Sequence, residues 1–221
     1  MRPLASYIDH TQLKAICTES DIVKLCAEAR QYQFAAVCIP PCYVGTAKEQ
    51  LKESGVKVCS VAGFPLGYNP TSVKMAECSY LLDNGADEVD VVVNVSWIKS
   101  GKWSQVREEL MALHQIIVEK KAVFKLIFET AYLNREEILQ LADLCLECGV
   151  DYLKTSTGFA PKGAELDTVV AIKEKIGDKA KIKASGGISD LPTALAFIEA
   201  GADRIGTSSG VKLVTENASD R

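Results

Sequence analysis

The sequence predicts an α/β protein of the (β/α)8 barrel class, and three observations point there. Eight short strand-like runs recur along the 221 residues, at 6–11, 35–40, 57–63, 88–94, 123–130, 152–157, 181–185 and 204–207. Between them lie segments whose apolar residues recur three and four apart, the helical period. Strands such as VDVVVNV and FKLIF are apolar on both faces, as a parallel sheet covered by helices requires. The helix exits also share one grammar: Ser54-Gly55-Val56, Asn84-Gly85-Ala86, Cys148-Gly149-Val150 and Ala200-Gly201-Ala202 each place Gly where a left-handed residue ends a helix. An open doubly wound sheet satisfies the same alternation and is the alternative. With no linker or low-complexity tract, one barrel domain is expected over residues 1–221.

Taken in order, the first strand ends in Asp9, His10 and Thr11, which places His10 as a candidate for the barrel mouth. Thr18 or Ser20 caps the helix whose buried stripe is Ile22, Leu25, Cys26 and Ala29. The second strand carries Cys38, and Gly63-Phe64-Pro65-Leu66-Gly67 follows the third. Thr71 is read as the next helix cap. In the fourth strand, alternation puts Asp90, Val92 and Asn94 on one face and Val89, Val91 and Val93 on the other. Trp97 and Trp103 are read as helix-on-barrel packing, and His114 as a packed or surface residue of the helical run REELMALHQII. Lys125 lies within the fifth strand, which ends in Glu129-Thr130. Asn134 caps the helix of Ile138, Leu141, Ala142 and Cys145, and Asp190 caps the helix after the seventh strand.

Composition excludes several classes. A net charge of −4 with 24% charged residues gives no basic field for nucleic acid or an anionic membrane surface. No apolar run is long enough to cross a bilayer, and MRPLASYIDHTQL lacks the apolar core of a signal peptide, so a cytoplasmic protein is expected. The eight cysteines sit singly in apolar segments, and Cys145 and Cys148 form a CxxC inside a helical run without a neighbouring His. Buried free thiols are expected there rather than zinc or redox chemistry.

The chemistry concentrates at strand ends. Lys154, in VDYLKTSTGF, precedes a turn of small hydroxyl residues, and burial there favours the neutral amine, a nucleophile that forms Schiff bases with carbonyls. Lysines at strand ends also commonly snorkel to solvent. Lys183, in KIKASGGIS, lies one strand later and supplies a like charge that disfavours a proton on Lys154. Asp90 faces the same lumen, either as a proton-transfer group or as a structural partner of Lys183 or Lys125. Two glycine-rich loops, Ser185–Ser189 and Gly206–Gly210, suit a phosphate held by backbone N–H groups.

These segments, IDHTQL, AAVCIPP, VAGFPLG, GADEVDVVVN, FKLIFET, DYLKTSTGF, KIKASGGIS and RIGTSSG, resemble in order the deoxyribose-phosphate aldolase family over nearly the full chain. The resemblance implies a class I aldolase, without metal or other cofactor, that reversibly cleaves 2-deoxy-D-ribose 5-phosphate to D-glyceraldehyde 3-phosphate and acetaldehyde. It implies Lys154 as Schiff-base nucleophile, Lys183 as the second lysine and Asp90 as the proton-transfer residue. Asp9, Cys38, Thr155, Gly186, Gly187, Ser208 and Ser209 are the implied substrate-binding positions. A homodimer or homotetramer is expected, with a phosphosugar as the only other partner. Some family members carry a lysine after TSTG, where this chain has Phe159 with Lys162 nearby, and some end in a tyrosine-bearing tail, where this chain reads ENASDR. Two other readings stand beside this one. A keto-acid or transaldolase-like Schiff-base barrel would want an arginine clamp, and a non-catalytic sugar-phosphate sensor would need neither lysine.

Overall fold

Eight parallel strands close on themselves in chain order: β1 (Ile8–Thr11), β2 (Ala36–Ile39), β3 (Lys57–Ala62), β4 (Glu88–Val92), β5 (Val123–Ile127), β6 (Tyr152–Lys154), β7 (Lys181–Ser185) and β8 (Arg204–Thr207). The computed structural model describes residues 2–219. Because β8 pairs with β1, the sheet has no edge, which rules out the open doubly wound alternative. Around it run α1 (Glu19–Tyr32), α2 (Val44–Gln50), α3 (Thr71–Asp83), the short α4 (Val95–Lys99), α5 (Trp103–Glu119), α6 (Arg135–Glu147), α7 (Leu166–Ile176), α8 (Leu191–Glu199) and α9 (Gly210–Ser219).

The expected strands fall in place, several ending earlier than their apolar runs. β6 ends at Lys154; beyond it Thr155 keeps backbone bonds to both neighbouring strand exits and adds side-chain ones, its Oγ1 donating to the Ser185 carbonyl at 3.2 Å and accepting from the Ser185 N–H at 3.1 Å. Thr18 and Asn134 form capping boxes with Asp21 and Glu137, and Asp190 accepts from the Thr193 N–H. Thr71 departs from expectation. Pro70 occupies the cap position, and the Thr71 hydroxyl turns inward to donate to Glu109 at 3.1 Å.

Three of the glycine exits continue into an aspartate, and each aspartate ties its strand to the previous one. Asp87, Asp151 and Asp203 accept from the N–H groups of Val58, Phe124 and Ile182 at 2.9, 2.8 and 3.0 Å. Their own N–H groups donate to the carbonyls of those same residues. Thus β4, β6 and β8 each enter the barrel in a fixed register against β3, β5 and β7.

The strands divide their faces sharply. Val89, Val91 and Val93 point outward into one continuous apolar cluster with the helices, which includes Leu110, Leu113 and Ile117 of α5. Each such buried side chain is worth roughly 1.5–3 kcal/mol. Inside the barrel the apolar set is small, Ala36, Cys38, Cys59 and Val61. Alongside these and Val92, Ile127 and Tyr152, the lumen carries a cluster of charged side chains.

Candidate active site

The last residue of β6, Lys154, lies opposite Lys183 of β7, and Asp90 of β4 lies opposite Lys125 of β5. Since alternate residues face inward, these register pairs bring three ammonium groups onto one carboxylate. Asp90 Oδ2 accepts from Lys154 Nζ and Lys183 Nζ, both at 2.8 Å, and Asp90 Oδ1 accepts from Lys125 Nζ at 2.8 Å. All four are buried; Lys154, at 3%, retains the only measurable exposure. Beneath them Lys183 reaches Asp9 at 2.6 Å, Arg204 reaches Asp9 at 2.5 Å and Glu88 at 3.2 Å, and Lys125 reaches Glu88 at 2.5 Å.

The electrostatics follow from this crowding. Burial disfavours a charged Asp90, but Lys125, Lys154 and Lys183 outweigh it and hold the carboxyl well below its ordinary range. Burial would strip the proton from Lys183, yet Asp9 and Asp90 keep it protonated well above the usual lysine range, and Asp90, Cys59 and Glu88 do the same for Lys125. Lys183 is therefore the charged neighbour that its sequence position suggested. A hydrogen bond with Cys59 brings the Cys38 thiol down to about 7 against the cost of burial, which pushes Cys59 itself well up. Cys38, Cys59 and Asp90 bring three possible ligand atoms within 4.8 Å of one another. Ammonium groups already occupy the Asp90 carboxylate, so a metal ion there would have to displace one of them.

Above Lys154 opens a cavity of about 430 Å³, lined by Gly186, Gly187, Ser208 and Ser209 together with Thr11, Lys14, Thr157 and Phe159. The loops that form its wall pack backbone on backbone. Gly186 has φ 89°, and a Cβ there would stand 2.9 Å from the Gly163 Cα. Ser208 and Ser209 immediately precede α9, whose N-terminal dipole end favours an anion.

Of the residues singled out in the sequence, Lys154 and the four loop residues line this cavity; Asp90 and Lys183 lie directly under Lys154. Asp9 and Cys38 sit deeper in the lumen, and Thr155 bonds across to Ser185, so none of these three lines the cavity. His10 turns outward rather than to the mouth, donating or accepting at Glu28 over 2.7 Å and packing edge-on against Phe34. His114 packs against Gly149, and Trp97 and Trp103 pack on the helix-covered core, as expected. Cys145 and Cys148 are buried free thiols, whereas Cys42 is exposed, because it follows the β2 exit on a turn. Phe159 lines the mouth edge-on to Phe64, and Lys162 is an exposed partner of Glu165. The cation on the cavity wall is instead Lys14, three residues past the end of β1. Glu88, Lys125 and Arg204 complete the charged floor. Stepping by two from Asp90 along β4 already places Glu88 on the inward face. The end of ENASDR, from residue 220, lies outside the described residues.

Residues 4–215 match the family model described as DeoC/LacD family aldolase. The chain is 47% identical over 211 residues to the deoxyribose-phosphate aldolase of Mannheimia succiniciproducens, covering 96% of this chain and 93% of that protein. It is 48% identical over 213 residues to the one from Thermococcus gammatolerans, covering 96% and 95%. Among solved structures, QR15, an aldolase, superposes with a TM-score of 0.94 at 45% identity, covering 99% of this chain and 97% of that one. The deoxyribose phosphate aldolase from Aeropyrum pernix, described as a unique tetramer, does so with a TM-score of 0.91 at 36% identity, covering 99% and 92%.

Proposed function

The chain belongs to the DeoC/LacD aldolase family, and on that premise we propose that it is a class I aldolase that reversibly cleaves 2-deoxy-D-ribose 5-phosphate into D-glyceraldehyde 3-phosphate and acetaldehyde. The observation that carries this reading is the placement of Lys154 at the bottom of the cavity, on a carboxylate shared with two other buried ammonium groups. Lys154 Nζ adds to the substrate C1 aldehyde and water leaves, giving an iminium. Loss of the C3 hydroxyl proton then breaks the C2–C3 bond and releases D-glyceraldehyde 3-phosphate, while the bonding electrons pass into an enamine on Lys154. Protonation of the enamine at C2 and hydrolysis free acetaldehyde. A carboxylate held as acidic as Asp90 is a weak base, so its part is to fix the ammonium groups and orient a water that carries the proton. The phosphate binds between Gly186-Gly187 and Ser208-Ser209, with Lys14 supplying the charge that Phe159 does not.

A keto-acid aldolase fits less well. Among the described residues that line the cavity none is an arginine, and Arg204 is committed to Asp9 and Glu88 on the floor. A sensor of sugar phosphates would have no use for the buried lysines. The test is consumption of 2-deoxyribose 5-phosphate, followed through the D-glyceraldehyde 3-phosphate formed. Wild-type protein turns it over, and Lys154→Arg loses at least about a thousandfold because a guanidinium does not become a neutral amine. Comparable turnover by Lys154→Arg would end this mechanism.

The protein is read as acting in the cytoplasm, where free thiols persist; among the described residues no helix is long and apolar enough to cross a membrane. A homodimer or homotetramer is proposed. Val73 and Tyr80 on α3, and Met111 and Val118 on α5, are exposed apolar residues on adjacent helices. Light scattering of the purified protein tests it, and a monomer at all concentrations would refute it.

A further inference from the structure

Six charged side chains close a ring across the barrel floor: Asp9, Arg204, Glu88, Lys125, Asp90 and Lys183, each touching the next and the last returning to the first. Signs alternate around it, three carboxylates against three cations. Each cation of the ring touches two carboxylates. Lys154 stands outside the ring, touching Asp90 alone, through an oxygen that Lys183 already uses. The ring is neutral without Lys154, so within the ring a proton on Lys154 has no counterion of its own; the negative charge nearest to it outside the ring belongs to Glu129 and to Cys38. A buried charge without its own counterion is costly.

We propose that Glu88 and Arg204, which touch neither Lys154 nor the cavity, are positioning residues of the reaction: by closing the ring they keep Lys154 unprotonated and able to attack. The proposal rests on the Schiff-base reading above and extends it to the lowest layer of the barrel. The other titratable groups around Lys154 do not perform this task. Burial keeps the Cys59 thiol neutral, and Tyr152 lies below, its ring 5.8 Å from the Arg204 guanidinium; Cys38 and Glu129, which is hydrogen-bonded to Thr157, are negative charges that favour a proton on Lys154 and so act against the ring.

Because the mechanism is a charge balance, removing opposite charges must have opposite effects. Arg204→Met leaves the ring with one excess negative charge, so Lys154 holds its proton to higher pH. Glu88→Gln leaves one excess positive charge, so Lys154 loses its proton at lower pH. A residue that merely braced the fold would not reverse the sign.

The experiment measures the rate of borohydride trapping of acetaldehyde on Lys154 as a function of pH. The midpoint of the rise is expected to move up by about one pH unit in Arg204→Met and down by about one in Glu88→Gln, the size of one neighbouring charge in a protein interior. Arg204→Lys should keep the wild-type midpoint, and the double variant Glu88→Gln/Arg204→Met, neutral again, should return to it. If Arg204→Met does not fold, Glu88→Gln and the double variant carry the test. Midpoints that stay put, or both single variants moving the same way, overturn the proposal while leaving the Schiff-base reading intact. A wild-type protein that traps no adduct on Lys154 overturns both.

Discussion

At the scale of single residues, the site turns on how many partners each charged group has. Lys183 is held between two carboxylates, which keep it charged, and it shares the Asp90 carboxylate with Lys154. Lys183→Leu removes that charge, so the acid limb of the pH–rate profile should move upward; an unmoved limb would take this role from Lys183. Lys154, Lys183 and Asp90 were legible in the sequence as lumen residues, Asp90 because alternation put it on the inner face of β4 and the lysines because each precedes a turn of small hydroxyl or glycine residues. Lys125 was legible as a candidate partner of Asp90, which it is; Glu88 and Arg204 were less so, since an ordinary charged residue at a strand start looks the same in sequence whether it faces the lumen or the solvent. His10 misled for a related reason. It follows Asp9 directly, and alternation turns it to the outer face, where Glu28 and Phe34 hold it.

At the scale of elements, the loops and helices set the shape that those residues use. Gly186 must approach Gly163 within contact of its backbone at positive φ, so Gly186→Ala should distort the phosphate wall. Its KM for 2-deoxyribose 5-phosphate should rise at least about tenfold, with a much smaller change for an unphosphorylated 2-deoxyaldose; equal effects on both would place the phosphate elsewhere. Between α3 and α5 lies a second buried pair, Lys74 with Glu109 at 2.7 Å, 0% and 1% exposed. Burial presses both toward neutrality, lowering the Lys74 pKa and raising that of Glu109. Lys74→Met alone should cost about 3–5 kcal/mol in urea unfolding, whereas Lys74→Met with Glu109→Leu should recover most of it. A double variant no better than the single would show that the pair is stabilising in itself. The glycine exits were readable from sequence, but the aspartates beside them were not read as anchors. Their partners, Val58, Phe124 and Ile182, are distant in the chain and join them only once the barrel closes.

At the scale of the whole molecule, the barrel lumen carries buried charge inside a shell of apolar packing, and the consequence is a pH dependence of stability. Burial alone would raise the pKa of Asp9, but Lys183 and Arg204 hold it below the ordinary carboxylate range, as the lysines do for Asp90. A carboxyl depressed in the folded state adds stability that is present above its unfolded pKa and lost as pH falls through the folded one. Unfolding free energy should therefore hold from neutral pH to about 5 and fall below about 4. The advantage of wild type over Asp9→Asn should shrink over the same fall; an advantage independent of pH would mean that Asp9 is not ionised in the folded protein. The barrel itself was legible because eight alternations and doubly apolar strands admit few topologies. The register at closure was not, since the contact between β1 and β8 joins opposite ends of the chain and leaves no local pattern. The central claim is that one lysine at the foot of the cavity captures the aldehyde. Mass spectrometry of the protein reduced by borohydride in the presence of acetaldehyde tests it most directly: an added ethyl group on Lys154 is the predicted result, and an unmodified Lys154, or an ethyl group on Lys183 or Lys125 instead, would contradict it.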